Sequence, residues 1–208
     1  MDERLRSGLA EIEAKLDLVR RAEAEHGFGI VLEEPDELED IPDLPEGVVE
    51  VFRLFSCLGG DYFRFRQPGK IRSRRAWEER EEDGNCPLGH PLEIGYECYG
   101  IPPDILRDID GGAPIRLDVN DGSIYYVDPD DYIFMYKNVE VEQIDGEDFG
   151  DDIVTFFNHH VLGEGYPQLV RGVLGDRAVN ERDRKGRHKD SWTRLLLWTG
   201  LLQDEALR

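Results

Sequence analysis

The sequence is poor in cysteine, has no long hydrophobic run and has no excess of basic residues. Its three cysteines among 208 residues are odd in number and widely spaced, which fits a reducing compartment better than a disulfide scaffold. No segment approaches the ~18 apolar residues of a membrane-spanning helix, and no apolar signal region follows residues 1–4. We therefore expect a cytoplasmic protein that makes no membrane contact.

Charge is strongly unbalanced along the chain. Lys and Arg number 25 against 46 Asp and Glu, for a formal net charge of −21. Residues 171–208 hold nine bases and six acids, a net of +3, which leaves 16 bases and 40 acids, a net of −24, in residues 1–170. A surface of that sign repels nucleic acid and attracts basic partners. We therefore expect a protein partner and no nucleic acid.

Apolar spacing predicts three helices before the C-terminal region. Residues 2–26 repeat apolar side chains at intervals of three and four and end at Gly27, which is typical of an amphipathic helix. The acidic, proline-containing segment Leu32 to Asp43 predicts a loop. A second helix is expected from Pro45 through Leu58, and a third over residues 147–161, with acids at its positive N-terminal end.

Alternation of apolar and polar residues predicts a sheet. The alternating segments are 62–65, 92–98, 115–119, 123–127 and 132–141. The turn Asn120-Asp121-Gly122 separates two of them and indicates a β-hairpin. Helices flanking a run of strands predict an α+β fold, with a mostly antiparallel sheet flanked by helices.

The C-terminal part differs from the rest in charge and pattern. We expect residues 1–162 to form one domain that includes the N-terminal helix, and residues 163–208 to add a basic loop and a C-terminal helix docked on it. The loop, Arg177 to Lys189, is turn-prone and expected to be mobile. Four acids within residues 171–194 favour an exposed loop, or a clasp to the acidic body, over a nucleic-acid contact. The helix would bury the apolar residues Trp192, Leu195, Leu196, Trp198 and Leu201.

Few residues suggest a catalytic site or a metal site. Cys86, His90 and Cys98 offer thiolates and an imidazole, which suit zinc, but structural sites need four ligands and Cys98 occupies an apolar strand position. His159 and His160 point about 100° apart on a helix, so one is expected to pack on the sheet and the other to face solvent. No nucleophile pattern or phosphate-binding loop is present. We expect no enzyme and no cofactor, with a metal-dependent enzyme built on Cys86, His90 and Cys98 as an alternative.

Several segments together resemble a known family. They are Ile41-Pro42-Asp43-Leu44-Pro45, Gly59-Gly60 before Tyr62-Phe63-Arg64-Phe65, Pro114 to Val119, Asp121 to Tyr126, and Phe149 to Phe157. The pattern resembles the SUKH superfamily, which includes yeast cell-wall-synthesis regulators and many bacterial immunity proteins. It covers about residues 40–162, and the charged stretch Arg72 to Pro91 and the chain from Gly163 onward depart from it.

The resemblance implies a binding module without catalytic residues or cofactors. In bacteria such proteins look like immunity factors that neutralise a cognate toxin, often a nuclease, and the acidity of this chain would suit a basic toxin domain. A regulatory scaffold that binds a cellular protein is the alternative. The expected contact groups are exposed carboxylates close to aromatic anchors. They are Glu78, Glu79, Glu81, Glu82, Asp83, Asp128, Asp130 and Asp131.

Overall fold

A computed structural model describes residues 2–80, 91–102, 105–107, 111–128 and 146–208. Among these residues, seven antiparallel strands form one sheet whose order follows the sequence. The strands are β1 Val31–Glu33, β2 Cys57–Gly59, β3 Phe63–Arg66, β4 Leu92–Glu97, β5 Pro114–Leu117, β6 Ile124–Val127 and β7 Gly146–Asp148. The helices are α1 Glu3–His26, α2 Val48–Phe52, α3 Arg74–Glu78, α4 Ile153–Phe156, α5 Tyr166–Leu174, α6 Asp176–Val179 and α7 Ser191–Thr199. The predicted α+β class is confirmed.

The core lies between the sheet and the helices. Phe65 of β3 packs edge-on against Phe156 and Phe157 of the α4 region, at ring-centroid distances of 5.8 and 5.5 Å. Phe63 meets Tyr166 of α5 in the same way at 6.1 Å. Gly95 of β4 lies opposite Phe65, and a Cβ there would come within 2.5 Å of the Phe65 ring. The absence of a side chain at Gly95 therefore leaves room for the Phe65 ring.

The N-terminal helix and the hairpin agree with the sequence. Helix α1 buries Ile12, Leu16 and Val19, and Gly27 ends it in the left-handed conformation. Strands β5 and β6 pair Ile115 with Tyr126, confirming the hairpin. The segments predicted to form β3 and β4 are also strands.

Two elements between residues 31 and 59 differ from the prediction. Val31–Glu33 is strand β1 instead of loop, because it pairs with Cys57–Gly59. Helix α2 ends at Phe52, and Cys57–Gly59 is strand β2 instead of the last helical turn. Leu58 lies opposite Phe65 in the sheet. A buried strand accommodates a short apolar run as well as a buried helix does, so the sequence pattern alone does not distinguish them.

The third helix begins later than predicted. Gly146–Asp148 is strand β7, because its backbone pairs with β6. The helix starts after Asp152, whose side chain accepts hydrogen bonds from the backbone N–H groups of Val154 and Thr155. Its last turn, Phe157–Val161, is a π-helix. The predicted strand 132–141 lies outside the described residues.

The C-terminal region contains more secondary structure than the sequence predicts. Helices α5 and α6 were not predicted, and residues 181–189, predicted as a loop, form a closed hairpin with a bridge between Arg182 and His188. The docked helix α7 is confirmed: Trp192 is buried and its indole N–H donates to the Val161 carbonyl at 2.8 Å. Trp198, by contrast, is 62% exposed.

Candidate functional site

The predicted acidic contact residues that the structure describes, Glu78, Glu79 and Asp128, lie in two separate places. Glu78 at the end of α3 and Glu79 directly after it are exposed, and α3 follows the C-terminal end of β3. Asp128 is exposed after the C-terminal end of β6. Strands β3 and β6 run in opposite directions in the meander, so these two groups lie at opposite ends of the sheet. Glu81, Glu82, Asp83, Asp130 and Asp131 lie outside the described residues.

Cys98 is a buried thiol in the structure. Burial raises its pKa to about 11, and its Sγ donates to the Tyr96 carbonyl at 3.7 Å. Cys86 and His90 lie outside the described residues, so the three-ligand zinc hypothesis stays a prediction. Within the part of the chain that the structure describes, no group of three or more His, Cys, Asp or Glu side chains is placed to hold a metal ion.

The two adjacent histidines differ in burial, although their rings touch edge to face with centroids 4.7 Å apart. His160 packs its ring against Phe149 and Phe156, and its Nδ1 lies 3.2 Å from the Gly165 carbonyl oxygen. Burial lowers the pKa of His160. His159 is exposed. His160 is therefore half-buried against the aromatic core, and His159 borders the cleft described next.

A cleft of about 930 Å³ lies where four separate segments meet. Its walls are the first turns of α1, the loop 42–46, the β5–β6 turn at residues 119–122, and the start of α4 at 151–155. These segments meet at Gly122: a Cβ there would lie 3.0 Å from the Asp151 carbonyl oxygen and 3.4 Å from Pro45. The positive φ of 84° at this residue also favours glycine.

Carboxylates dominate the rim of this cleft, which we call the acidic groove. Its acidic residues are Asp2, Glu11, Asp43, Glu46, Asp121, Asp151 and Asp152. Arg4 and His159 are the basic side chains among the described lining residues. Arg4 lies 3.6 Å from Asp152, and Lys15 pairs with Glu11 at 2.7 Å. Among the described residues, no cation lies within ion-pair distance of the other five acids.

Local structure fixes several of these carboxylates. Asp152 is held by capping α4, where its Oδ2 also accepts from the Thr155 hydroxyl at 2.8 Å. Asp121 accepts from the Ser123 backbone N–H at 2.9 Å, and that hydrogen bond lowers the pKa of its carboxyl. Asp43, Glu46 and Asp151 are exposed. The groove thus combines carboxylates held by hydrogen bonds with carboxylates exposed to solvent.

The floor of the groove is apolar. Leu5, Leu44 and Val119 are partly buried, and the completely buried Val48 and Leu117 lie among the lining residues. Gly8 of α1 brings this helix close to α4, since a Cβ at Gly8 would lie 2.5 Å from Val154 Cγ1. Asn158 ties the same two elements by donating to the Gly8 carbonyl at 2.9 Å. The result is a groove suited to a segment with both positive charge and an apolar anchor.

Sequence reasoning missed this site because no local run of acids marks it. Its carboxylates come from four segments up to about 150 positions apart along the chain. The available signal was the set of segments that carry the family resemblance, since Pro42 to Pro45 and Asp121-Gly122 both line the groove.

Comparisons with known proteins return no match: no family model, curated protein or solved structure matches this chain. Across the described residues, none of the helices combines the length and apolar character needed to cross a bilayer.

Proposed function

We propose that this chain is a non-enzymatic protein-binding module whose acidic groove receives a basic segment of a partner protein. The observation that carries this proposal is the convergence of seven carboxylates from four segments around an apolar floor. An arrangement of that kind offers charge complementarity and a place for an apolar anchor in one cleft.

Electrostatics favours a partner of positive charge. The net charge of −21 accelerates the approach of a basic protein and slows that of nucleic acid. Five groove acids have no cationic partner among the described residues, so a partner's Lys or Arg side chains would not have to displace internal ion pairs there. Salt should weaken binding mainly by slowing association.

The partner class that the charge and the family resemblance favour is a basic toxin domain, such as a nuclease. A nuclease binds a polyanion through a basic surface, and an acidic groove can occupy part of that surface. The role would then be that of an immunity protein, which blocks the toxin by occlusion. The predicted cytoplasmic location belongs to the same proposal.

The test begins with capture of partners from native cells on the tagged protein, with elution by increasing salt and identification by mass spectrometry. A basic toxin-like protein released by salt supports the proposal. Capture of acidic or housekeeping proteins alone would contradict the immunity role and favour the scaffold alternative.

Three charge-matched variants then locate the contact on the protein. The groove variant is Asp43→Asn, Glu46→Gln and Asp151→Asn. A second set, Glu78→Gln, Glu79→Gln and Asp128→Asn, tests the acids predicted from sequence, and the control is Glu13→Gln, Glu37→Gln and Glu205→Gln, all exposed. We expect the groove variant alone to slow association by at least about tenfold and to reduce its salt dependence. Equal effects of all three sets would show that only net charge matters, and would overturn the assignment to the groove.

A further inference from the structure

Residues 181–189 form a tightly closed hairpin, which we call the basic hairpin. Arg182 bridges to His188, and the Lys189 backbone N–H donates to the Glu181 carbonyl at 2.9 Å. The Asp183 carboxylate accepts from the backbone N–H groups of Lys185 and Arg187, at 2.8 and 3.0 Å, and from the Arg187 guanidinium at 2.8 Å. These hydrogen bonds lower the pKa of Asp183 to about 2. The Asp183 carboxylate therefore stays ionised, and able to accept these hydrogen bonds, down to low pH.

The acidic residues of this hairpin form ion pairs within the hairpin, whereas most of its basic residues are exposed. Asp183 pairs with Arg187, and Glu181 pairs with Lys189 at 3.0 Å. Arg182, Arg184 and Lys185 are exposed, and among the described residues no carboxylate lies within ion-pair distance of them. A protein with a net charge of −21 thus presents a compact cationic tip.

The basic hairpin and the acidic groove lie at opposite ends of the sheet. Lys189 lies over the ring of Tyr99, 4.5 Å from its centroid, and Glu181 accepts from the hydroxyls of Tyr99 and Tyr62. Tyr62 precedes β3 and Tyr99 follows β4, whereas the groove includes the β5–β6 turn, at the end of the sheet where β3 finishes. One copy therefore cannot place its own hairpin in its own groove.

We propose that the basic hairpin of one copy docks in the acidic groove of a second copy, in a head-to-tail contact. The proposal rests on the groove being the docking site assigned above. Both surfaces are preformed and opposite in charge, and such a heterologous contact leaves one hairpin and one groove unused in each dimer, so that it can extend. Nucleic acid is a less suitable ligand for the basic hairpin. Residues 1–170 carry a net charge of −24, which repels it, and Lys189 already covers the nearby Tyr99 ring on which a base could stack.

Net charge sets the conditions under which this contact forms. Two copies repel each other over long distances, and salt removes that repulsion beyond a Debye length of about 8 Å at 0.15 M. The direct contacts between hairpin and groove are shorter than that distance and survive until higher salt. Self-association therefore peaks at intermediate ionic strength, and it competes with any basic partner for the same groove.

The experiment is sedimentation velocity of the full chain over a wide concentration range at low, intermediate and high salt. The hairpin variant is Arg184→Glu with Lys185→Glu, and the groove variant is Asp43→Lys with Asp151→Lys. The control reverses two exposed bases elsewhere, Arg21→Glu and Lys70→Glu. The wild type and the control should associate at intermediate salt, whereas each test variant should associate at least about tenfold more weakly, because like charges then face each other.

Mixing the two test variants gives the decisive result. The groove variant keeps an intact hairpin and the hairpin variant keeps an intact groove, so an equimolar mixture should associate more strongly than either variant alone. A wild type that stays monomeric at every salt concentration, or a mixture no more associated than its components, would overturn the proposal. So would binding of a single-stranded oligonucleotide that the hairpin variant loses, with no self-association.

The outcome is separable from that of the proposed function. Capture of a basic partner through the groove by a protein that stays monomeric overturns head-to-tail association alone. Self-association through the groove without any basic partner leaves the head-to-tail contact standing and contradicts the immunity role.

Discussion

The hydroxyl of Tyr166 donates a hydrogen bond of 2.8 Å to Oδ2 of Asp190, and both side chains are 1% exposed. Thr193 donates to the same oxygen from its backbone N–H and its hydroxyl, each at 2.8 Å, and the Tyr62 backbone N–H donates to Oδ1 at 3.2 Å. Burial raises the pKa of Asp190, while the hydrogen bonds from Thr193 and Tyr166 oppose that rise. This carboxyl joins the start of β3 to α5 and α7.

Replacing Asp190 by Asn should destabilise the fold by about 2–3 kcal/mol, because the buried amide NH₂ would face a backbone N–H, that of Thr193 or that of Tyr62, whichever way the side chain turns. Urea unfolding measures the loss. Asp176→Asn is the matched control, since it removes only a surface pair with Arg171 and should cost about 0.5 kcal/mol or less. An Asp190→Asn protein as stable as the wild type would show that the native carboxyl is protonated.

His188 should make stability fall below neutral pH. Its ring is 5% exposed, and burial, followed by the charge of Arg182, lowers the pKa of its imidazole. The unfolded chain therefore binds a proton near pH 6.5, whereas the folded chain binds it only at lower pH. Stability is thus complete above about pH 6.5 and is lost as the pH falls from there toward the folded pKa.

Urea midpoints between pH 8 and pH 5 check this expectation, and His188→Gln should flatten the slope. His160, whose pKa burial also lowers, contributes with the same sign, so the His160→Gln and His188→Gln changes should add in the double variant. A His188→Gln slope equal to that of the wild type would contradict the assignment.

Elements with strong periodicity could be read from the sequence. Helix α1 and the β5–β6 hairpin carry their own pattern and turn signals, so local chemistry specifies them. The run from Val48 to Gly59 is apolar except at Glu50, Arg53 and Ser56, and only pairing of β2 with β1 and β3 decides that its last three residues are a strand. Helix α5 was missed because its Gly-rich approach resembles a loop, while burial of Tyr166, Leu169 and Val170 stabilises it as a helix.

The negative charge of the candidate site could be predicted from the sequence, but its position could not. Counting acids indicates a basic partner, because net charge acts at long range. The location depends on Gly122 bringing Pro45 and Asp151 together, and that contact depends on the tertiary fold. Adjacent acids such as Glu78-Glu79 are easily recognised in the sequence, whereas the groove acids are spread over four separate segments.

Gly8 should control the spacing between α1 and α4, and hence the width of the acidic groove. Alanine improves helix propensity by about 1 kcal/mol, but its methyl would meet Val154 Cγ1 at 2.5 Å, and overpacking costs about 1–3 kcal/mol. We expect Gly8→Ala to be net destabilising by urea unfolding and to weaken capture of a basic partner.

Val154→Ala removes the opposing methyl groups and should restore partner capture in the Gly8→Ala background. The exposed Ser7→Ala controls for propensity and should change stability by only about a few tenths of a kcal/mol. If Gly8→Ala is more stable than the wild type and binds equally well, the close approach of the two helices does not shape the groove.

The chain after Leu162 should be required for the fold of the preceding residues. Tyr166, Leu169, Trp192 and Leu195 are at most 1% exposed and belong to the same core as Phe63. Burying such side chains contributes about 1.5–3 kcal/mol each, so removing them all approaches the total stability of about 5–15 kcal/mol of an ordinary domain. A protein ending at Leu162 should therefore show no cooperative unfolding and should bind a hydrophobic dye.

The full chain with Trp192→Ala provides the graded comparison, because it leaves a large cavity and removes the hydrogen bond to Val161. It should unfold cooperatively but with a loss of about 3–5 kcal/mol. If the shortened protein instead unfolds in a sharp transition, residues 1–162 are an independent domain and the C-terminal helices only cover it. In that case the basic hairpin could be removed without damage to the acidic groove, and partner capture by the shortened protein would be the direct measure of what the groove does alone.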